Sequence, residues 1–245
     1  MIRKLALSLF CVAVVTAAAN ADEIITQWNF NDSTANPSIG SGSISTIGDV
    51  TAAGFNSGSG SSDPTQPGLG YQTTPYPAQS TANATAGIQI DVDTTGFFNI
   101  HGSFDLRTSN TASRWYQIQY TLDGVNFNNL GDPNRMGTEA NAGDRFHNLN
   151  TFSLAGISGA NNNANFGLRV VSAFSPVAFT EVSSNTTYAA NSAYEVARNT
   201  TSVYGGGTWR FDMVTISGTA IPEPTAFGLF CLAGLGGLSR RRRSL

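Results

Sequence analysis

Through the centre of the 245-residue chain, apolar residues return at every second position. In "GIQIDV" (residues 87–92), Ile88, Ile90 and Val92 share one side. In "FNIHGSFDLR" (residues 98–107), Phe98, Ile100, Phe104 and Leu106 fall on one face. Asn99, His101, Ser103, Asp105 and Arg107 fall on the other, because strand side chains alternate with period two. "WYQIQYTL" (residues 115–122) repeats the pattern with Tyr116, Ile118, Tyr120 and Leu122 inward. Asp123-Gly124 then leads into "VNFNNL", a strong hairpin signal because both residue types accept positive φ. Further strands are predicted at "IITQWNF", "FHNLNTFSL", "FGLRVVSAF" and "WRFDMVTISG". No segment sustains a helical stripe for three turns. The pattern predicts an all-β chain folded as an antiparallel β-sandwich, each sheet packed on one face and wet on the other.

Residues 31–86 depart from this regularity. Gly, Ser, Thr, Asn and Pro dominate there, yet Ile44, Ile47, Phe55, Leu69 and Tyr71 supply anchors that a free linker does not need, so long loops with short strands are expected. The stretch Gln119-Tyr120-Thr121-Leu122-Asp123-Gly124, with Phe127 in the place of the aromatic that usually follows the turn, resembles the strand and turn of galactose-binding-like jelly rolls. That resemblance implies a sandwich of jelly-roll type.

The polar sides of the two central strands are the candidate binding surface: Asn99, His101, Asp105 and Arg107 from one, and Trp115, Gln117 and Gln119 from the other. An aromatic platform for a sugar ring, with amide, carboxylate and guanidinium groups for its hydroxyls, is the chemistry that polysaccharide recognition requires. On the alternative reading these residues form an ordinary solvated sheet face, with Trp115 partly covered by a loop.

The two ends of the chain carry different information. Arg3 and Lys4 precede the apolar run "LALSLFCVAVVTAAA", and Ala19-Asn20-Ala21 offers small residues for cleavage. Residues 1–21 therefore read as a secretory signal peptide cut after Ala21, which implies the Sec export machinery as a partner. At the other end, "PEPTAFGLFCLAGLGGLSRRRR" joins Pro222-Glu223-Pro224 to an apolar run and to Arg240, Arg241, Arg242 and Arg243. Residues 226–238 span only about 20 Å as a helix, against a hydrocarbon core of about 30 Å, so the run suits transient membrane insertion better than a lasting anchor. The arginine block tends to stay on the cytoplasmic side, leaving the rest of the chain outside.

This tripartite tail resembles the PEP-CTERM sorting signal of Gram-negative bacteria. The resemblance covers residues 222–245 and implies processing near Pro222-Glu223-Pro224 by the membrane enzyme exosortase. It also implies delivery to the envelope, cell surface or an extracellular matrix rich in polysaccharide. The expected organisation is a signal peptide (1–21), a β-sandwich domain (22–221) and a sorting segment (222–245).

Removal of both ends changes the picture of charge and chemistry. Residues 22–221 hold seven arginines, fifteen acids and no lysine, a net charge of −8 before histidine. Such a domain is a poor match for a phosphate backbone, so nucleic acid is not an expected partner. Cys11 and Cys231 both lie outside it, which excludes a disulfide, a Cys-ligated metal or a Cys nucleophile. His101 and His147 are the only imidazoles, no Gly-x-Ser-x-Gly elbow occurs, and Glu23, Glu139, Glu181 and Glu195 nominate no carboxylate pair. No enzyme activity, catalytic residue, cofactor or transition-metal site is expected.

"DVDTTGFFNIHG" imitates the start of a calcium loop with Asp91, Asp93 and Gly96 but carries Gly102 where the bidentate Glu belongs. A structural calcium site built from scattered carbonyls has no sequence signature. Asn31, Asn83, Asn185 and Asn199 match the glycosylation pattern, as expected by chance in an Asn/Thr-rich chain. Together these readings describe an exported matrix or surface protein that binds polysaccharide. The alternatives are a purely structural matrix protein and a secreted polysaccharide hydrolase.

Overall fold

Alternating β-branched and aromatic residues favour a pleated, half-buried surface, and this preference is realised in thirteen strands among the described residues. The computed structural model describes residues 22–77, 81–137, 139, 141–175, 195–198 and 206–222. Within them run β1 (Asp22–Trp28), β2 (Ile39–Gly40), β3 (Ser43–Ile47), β4 (Thr51–Ser57), β5 (Leu69–Thr74), β6 (Gly87–Asp91) and β7 (Phe97–Thr108). They continue with β8 (Trp115–Thr121), β9 (Phe127–Asn129), β10 (Asn134–Arg135), β11 (Phe146–Ser153), β12 (Gly167–Ser172) and β13 (Trp209–Ala220). The helical content among the described residues is a single 3-10 turn at Ser158–Ala160. Apart from Pro222, the segments expected to be processed, with Ala19, Ala21, Glu223, Pro224 and Arg240 to Arg243, lie outside the described residues, as do Glu181, Asn185 and Asn199.

The strands form two antiparallel sheets. Sheet A has the order β11-β7-β13-β1-β2, and sheet B the order β10-β8-β12-β6-β3 with β9 also on β8. β13 is long enough to serve two neighbours on one side: β5 pairs with Trp209 to Phe211 and β1 with Val214 to Thr219. β4 then pairs with β5. The main strands β6, β7, β8, β11, β12 and β13 fall alternately in sheets B and A, and the first strand lies beside the last. That alternation is the jelly-roll arrangement.

One hydrophobic cluster fills the space between the sheets. Sheet A contributes Trp28, Ile100, Phe104, Leu106, Trp209, Phe211 and Ile216, and sheet B contributes Ile88, Ile90, Tyr116, Ile118, Leu168 and Val170. The aromatics meet in preferred tilted or edge arrangements, with Phe104 and Tyr116 at 5.4 Å and Tyr76 and Trp209 at 4.6 Å between centroids. Each fully buried large side chain contributes up to about 3 kcal/mol of transfer free energy. Burial also pushes the Tyr116 phenol up to about 12.

The loop-rich region folds as its anchors imply: Ile44 and Tyr71 are buried and Phe55 packs against the same core. Two local expectations change. Phe98 is 38% exposed, and Phe97 packs on the core in its place. Asn99 takes φ 56° where the β7–β13 register shifts, and this bulge breaks the period of two. The Asp123-Gly124 hairpin forms, with Thr121 opposite Phe127, so five residues rather than two make the loop. Only Gly124 of the pair has positive φ; the Asp123 side chain instead accepts the Val125 and Asn126 N–H groups.

Candidate functional site

The two central strands do not lie side by side. β7 belongs to sheet A and β8 to sheet B, so their polar residues project from opposite outer faces of the sandwich. Asn99, His101, Asp105 and Arg107 are on one side of the molecule and Trp115, Gln117 and Gln119 on the other.

On sheet A the outer polar groups are largely engaged within the fold. Asp105 and Asp212 stand directly opposite each other on β7 and β13, and both are fully buried. The loop between β4 and β5 reaches this pair: Ser62 N–H donates to Asp105 Oδ2 at 2.5 Å, and Leu149 N–H donates to its Oδ1 at 2.7 Å. Asp212 Oδ1 accepts the Met213 N–H at 2.8 Å, while Oδ2 is buried without a hydrogen-bond partner. Burial pushes the Asp212 carboxyl up to about 7; the neighbouring Asp63 and Asp105 charges add to the rise, and the nearby Ser61 hydroxyl and the Met213 amide oppose it. The Asp212 side chain therefore holds a proton at mildly acidic pH, which relieves the like-charge contact across the strands. The Asp105–Asp212 pairing depends on register between strands about a hundred residues apart, which explains why spacing along the sequence did not nominate it. Closed to solvent, the pair offers no access to a substrate.

Arg107 pairs with Asp144 at 2.9 Å. His101 Nδ1 lies 2.9 Å from the Asn99 carbonyl, with Nε2 3.8 Å from Asp22. An open depression of about 490 Å³ adjoins them, lined in part by Thr151 and Ser153.

Sheet B presents a different surface. At one end, Gln117 is buried, its amide donating to the Ile118 and Gly131 carbonyls. Trp115 is half-buried, and its indole N–H donates to Glu195 Oε2 at 2.7 Å. Arg135 Nη2 meets the other Glu195 oxygen at 2.5 Å, and Arg114 approaches it at 3.4 Å. Burial opposes ionisation of Glu195, but the Arg135 and Trp115 hydrogen bonds and the two guanidinium charges outweigh it, leaving the carboxyl below its usual range. The Trp115 ring is thus tied into a charged knot.

At the other end, five strands bring one polar row into register. Ser45 stands opposite Gln89, Gln89 opposite Arg169, Arg169 opposite Gln119, and Gln119 opposite Asn129. Hydrogen bonds run along the row: Arg169 Nε donates to Gln89 Oε1 at 2.9 Å, and Gln119 Nε2 donates to Asn129 Oδ1 at 3.1 Å. The next row is Ser43, Asp91, Gly167, Thr121 and Phe127. Gly167 has no side chain and Thr121 a short one, so Arg169 reaches over them and lies 3.4 Å from the centre of the Phe127 ring. An open groove of about 560 Å³ continues from this row past Ser43, Gln89, Asp91, Asp93 and Asn165.

Of the residues singled out by sequence, Gln119 belongs to this row; Trp115 and Gln117 share its strand but lie under cover. Gln89, Arg169, Asn129 and Phe127 were not nominated as site residues. Gln89 and Arg169 were readable as the outward positions between Ile88 and Ile90 and between Leu168 and Val170, but their meeting depends on β12 pairing with both β6 and β8. The calcium-like stretch is a strand end and turn in which the Asp93 side chain accepts the Thr95 N–H. Asn31 and Asn83 are engaged structurally, with Asn31 bonded to Asp63 and Leu69, and Asn83 to Phe174. Among the described residues no cluster of three or more His, Cys, Asp or Glu side chains is arranged to hold a metal ion.

No family model matches the chain, and no curated protein matches it. Among solved structures it is similar to the CBM22-1–GH10 modules of Clostridium thermocellum endo-1,4-beta-D-xylanase 10B complexed with xylohexaose (TM-score 0.44, 11% identity), covering 81% of this chain and 29% of that one. A tandem CBM22-1–CBM22-2 domain from Paenibacillus barcinonensis Xyn10C matches with TM-score 0.43 and 11% identity over 86% of this chain and 50% of the other. The CBM22-1 xylan-binding domain of the same enzyme matches with TM-score 0.41 and 11% identity over 84% of this chain and 100% of its own length.

Proposed function

We propose that the protein is an exported polysaccharide-binding module of the cell surface or extracellular matrix, and that the open end of sheet B is its binding face. The observation that carries this reading is the row Ser45, Gln89, Arg169, Gln119 and Asn129, aligned across five strands. At about 4.8 Å between strands the row extends about 19 Å, long enough for several rings of a glycan chain. Its planar amides and guanidinium offer donors and acceptors at fixed spacing for hydroxyls, and Phe127 supplies the adjoining apolar surface. The face is open and groove-like, which suits the side of a polymer better than the enclosure of a small metabolite.

Export and sorting rest on the terminal sequences. The signal peptide delivers the chain to the Sec machinery, and the PEP-CTERM segment presents Pro222-Glu223-Pro224 to exosortase after transient membrane insertion. Pro222 is exposed and follows the end of β13 after one residue, Ile221, so the motif begins close to where the last strand stops. The binding half is tested by affinity electrophoresis in gels containing single polysaccharides. A gel that retards the native protein, and retards the Gln89→Ala/Gln119→Ala double variant less, supports the reading. Equal mobility in every gel rejects it. The sorting half is tested by C-terminal mass spectrometry of protein from a host with exosortase, where a product still ending in Ser244-Leu245 rejects processing.

A further inference from the structure

We infer that the binding face is built for a carboxylated polysaccharide, one bearing uronate residues, with Arg169 as the carboxylate receptor; this rests on the polysaccharide-binding reading above. The argument starts from how the arginines are used. Arg107, Arg114, Arg135 and Arg145 each form an ion pair, and Arg210 donates to the Ser57 carbonyl and to Gln72 Oε1. Arg169 and the exposed Arg198 have no ion pair among the described residues, and of the two only Arg169 is half-buried, at the middle of the row. Its Nε is committed to Gln89 and its plane rests on Phe127. Both Nη groups lack a hydrogen-bond partner among the described residues.

Gln89 explains why the guanidinium stays unpaired in so acidic a domain. Its amide oxygen accepts from Arg169 while its amide nitrogen donates to both oxygens of Asp91, at 3.0 and 3.2 Å. The glutamine thus stands between cation and anion and engages each with a separate group. Burial weakens the hold of Arg169 on its proton, with the Asp91 charge acting the other way, so the fork is partly desolvated and an anion is the partner that best compensates it. A fork fixed at Nε and by an aromatic ring has little freedom left to lose on binding, and two parallel N–H groups match the two oxygens of a carboxylate. Gln119 and Asn129 beside it then serve the hydroxyls of the same chain. The distant acids of the domain matter little at moderate salt, since charges beyond about 8 Å are largely screened at 0.15 M, and the near one, Asp91, is engaged by the Gln89 amide.

The test is affinity electrophoresis of the full protein at 0.15 M salt in gels of polygalacturonate or alginate, beside gels of the same polymers after carboxyl reduction. The native protein is expected to be retarded by the uronate forms and about tenfold or more weakly by the reduced ones. Arg169→Gln is expected to lose that preference, and Arg169→Lys to recover only part of it because the charge remains without the fork. Unchanged melting temperature in both variants separates lost binding from lost folding. Equal retention by reduced and unreduced polymers, or an undiminished preference in Arg169→Gln, overturns the carboxylate assignment while leaving polysaccharide binding standing. A preference that passes to sulfated polymers also overturns it. Retention by no polysaccharide, acidic or neutral, overturns both readings.

Discussion

The outer faces of the two sheets start from the same kind of sequence and end in different states. On sheet A the outward polar residues Asp105 and Asp212 are sealed beneath the loop between β4 and β5, and their interactions are directed to the fold. On sheet B, Gln89, Arg169 and Gln119 form a row across neighbouring strands, and Arg169 keeps donors in reserve. What decides the outcome is whether a loop crosses the face. A polar residue at an outward position acts as a latch where it is covered and as a contact surface where it is open.

The largest expected effect comes from breaking the covered side. Asp212 keeps its proton in the fold up to about pH 7, whereas its ordinary value is 3.8. The stability it contributes is therefore fully present below about pH 4 and is lost as pH rises from there through about 7. The whole change corresponds to at most about 4 kcal/mol. Asp212→Asn mimics the protonated side chain and is expected to flatten this dependence, raising stability at pH 8 and leaving it nearly unchanged at pH 4. Urea unfolding of both proteins across that range checks it, and parallel pH profiles for the two proteins contradict it.

A middle-sized effect is expected where the open face passes under cover. Trp115→Ala removes a half-buried ring and its bond to Glu195, and is expected to cost about 2 kcal/mol of stability. Polysaccharide retention is expected to persist, because Gln119 and not Trp115 is the residue that β8 gives to the row. A variant with native stability and abolished retention would instead make Trp115 the platform, and the covered and open parts of sheet B would exchange roles.

The smallest effect on stability belongs to the open row. Gln119→Ala and Asn129→Ala remove exposed or half-exposed contacts and are each expected to change stability by less than about 0.5 kcal/mol. Both are expected to weaken retention measurably. Calorimetry beside gel retardation distinguishes the two readouts.

The sequence carried the sandwich because period-two alternation is a local property: Ile88 and Ile90, Tyr116 and Ile118, and Phe104 and Leu106 all point inward as their spacing demands. The alternation failed at Phe98, where a bulge at Asn99 changes which aromatic packs on the core. The site was less legible because it depends on pairing. Nothing in the run from Phe98 to Gln119 tells that β7 and β8 enter different sheets, so residues that look like one face divide between two. Arg169 and Gln89 are eighty positions apart and meet only through the β6–β12 register. The covering of Trp115 depends on Glu195, also eighty positions away.

The central claim is that the open end of sheet B holds the ligand. Its most direct test is amide NMR of the protein titrated with fragments of a polysaccharide that retards it. The account predicts shift changes centred on Gln89, Arg169, Gln119 and Asn129, with Asp105, Arg107 and His101 on the opposite sheet unmoved. Changes centred on sheet A, or spread evenly over both faces, would contradict it.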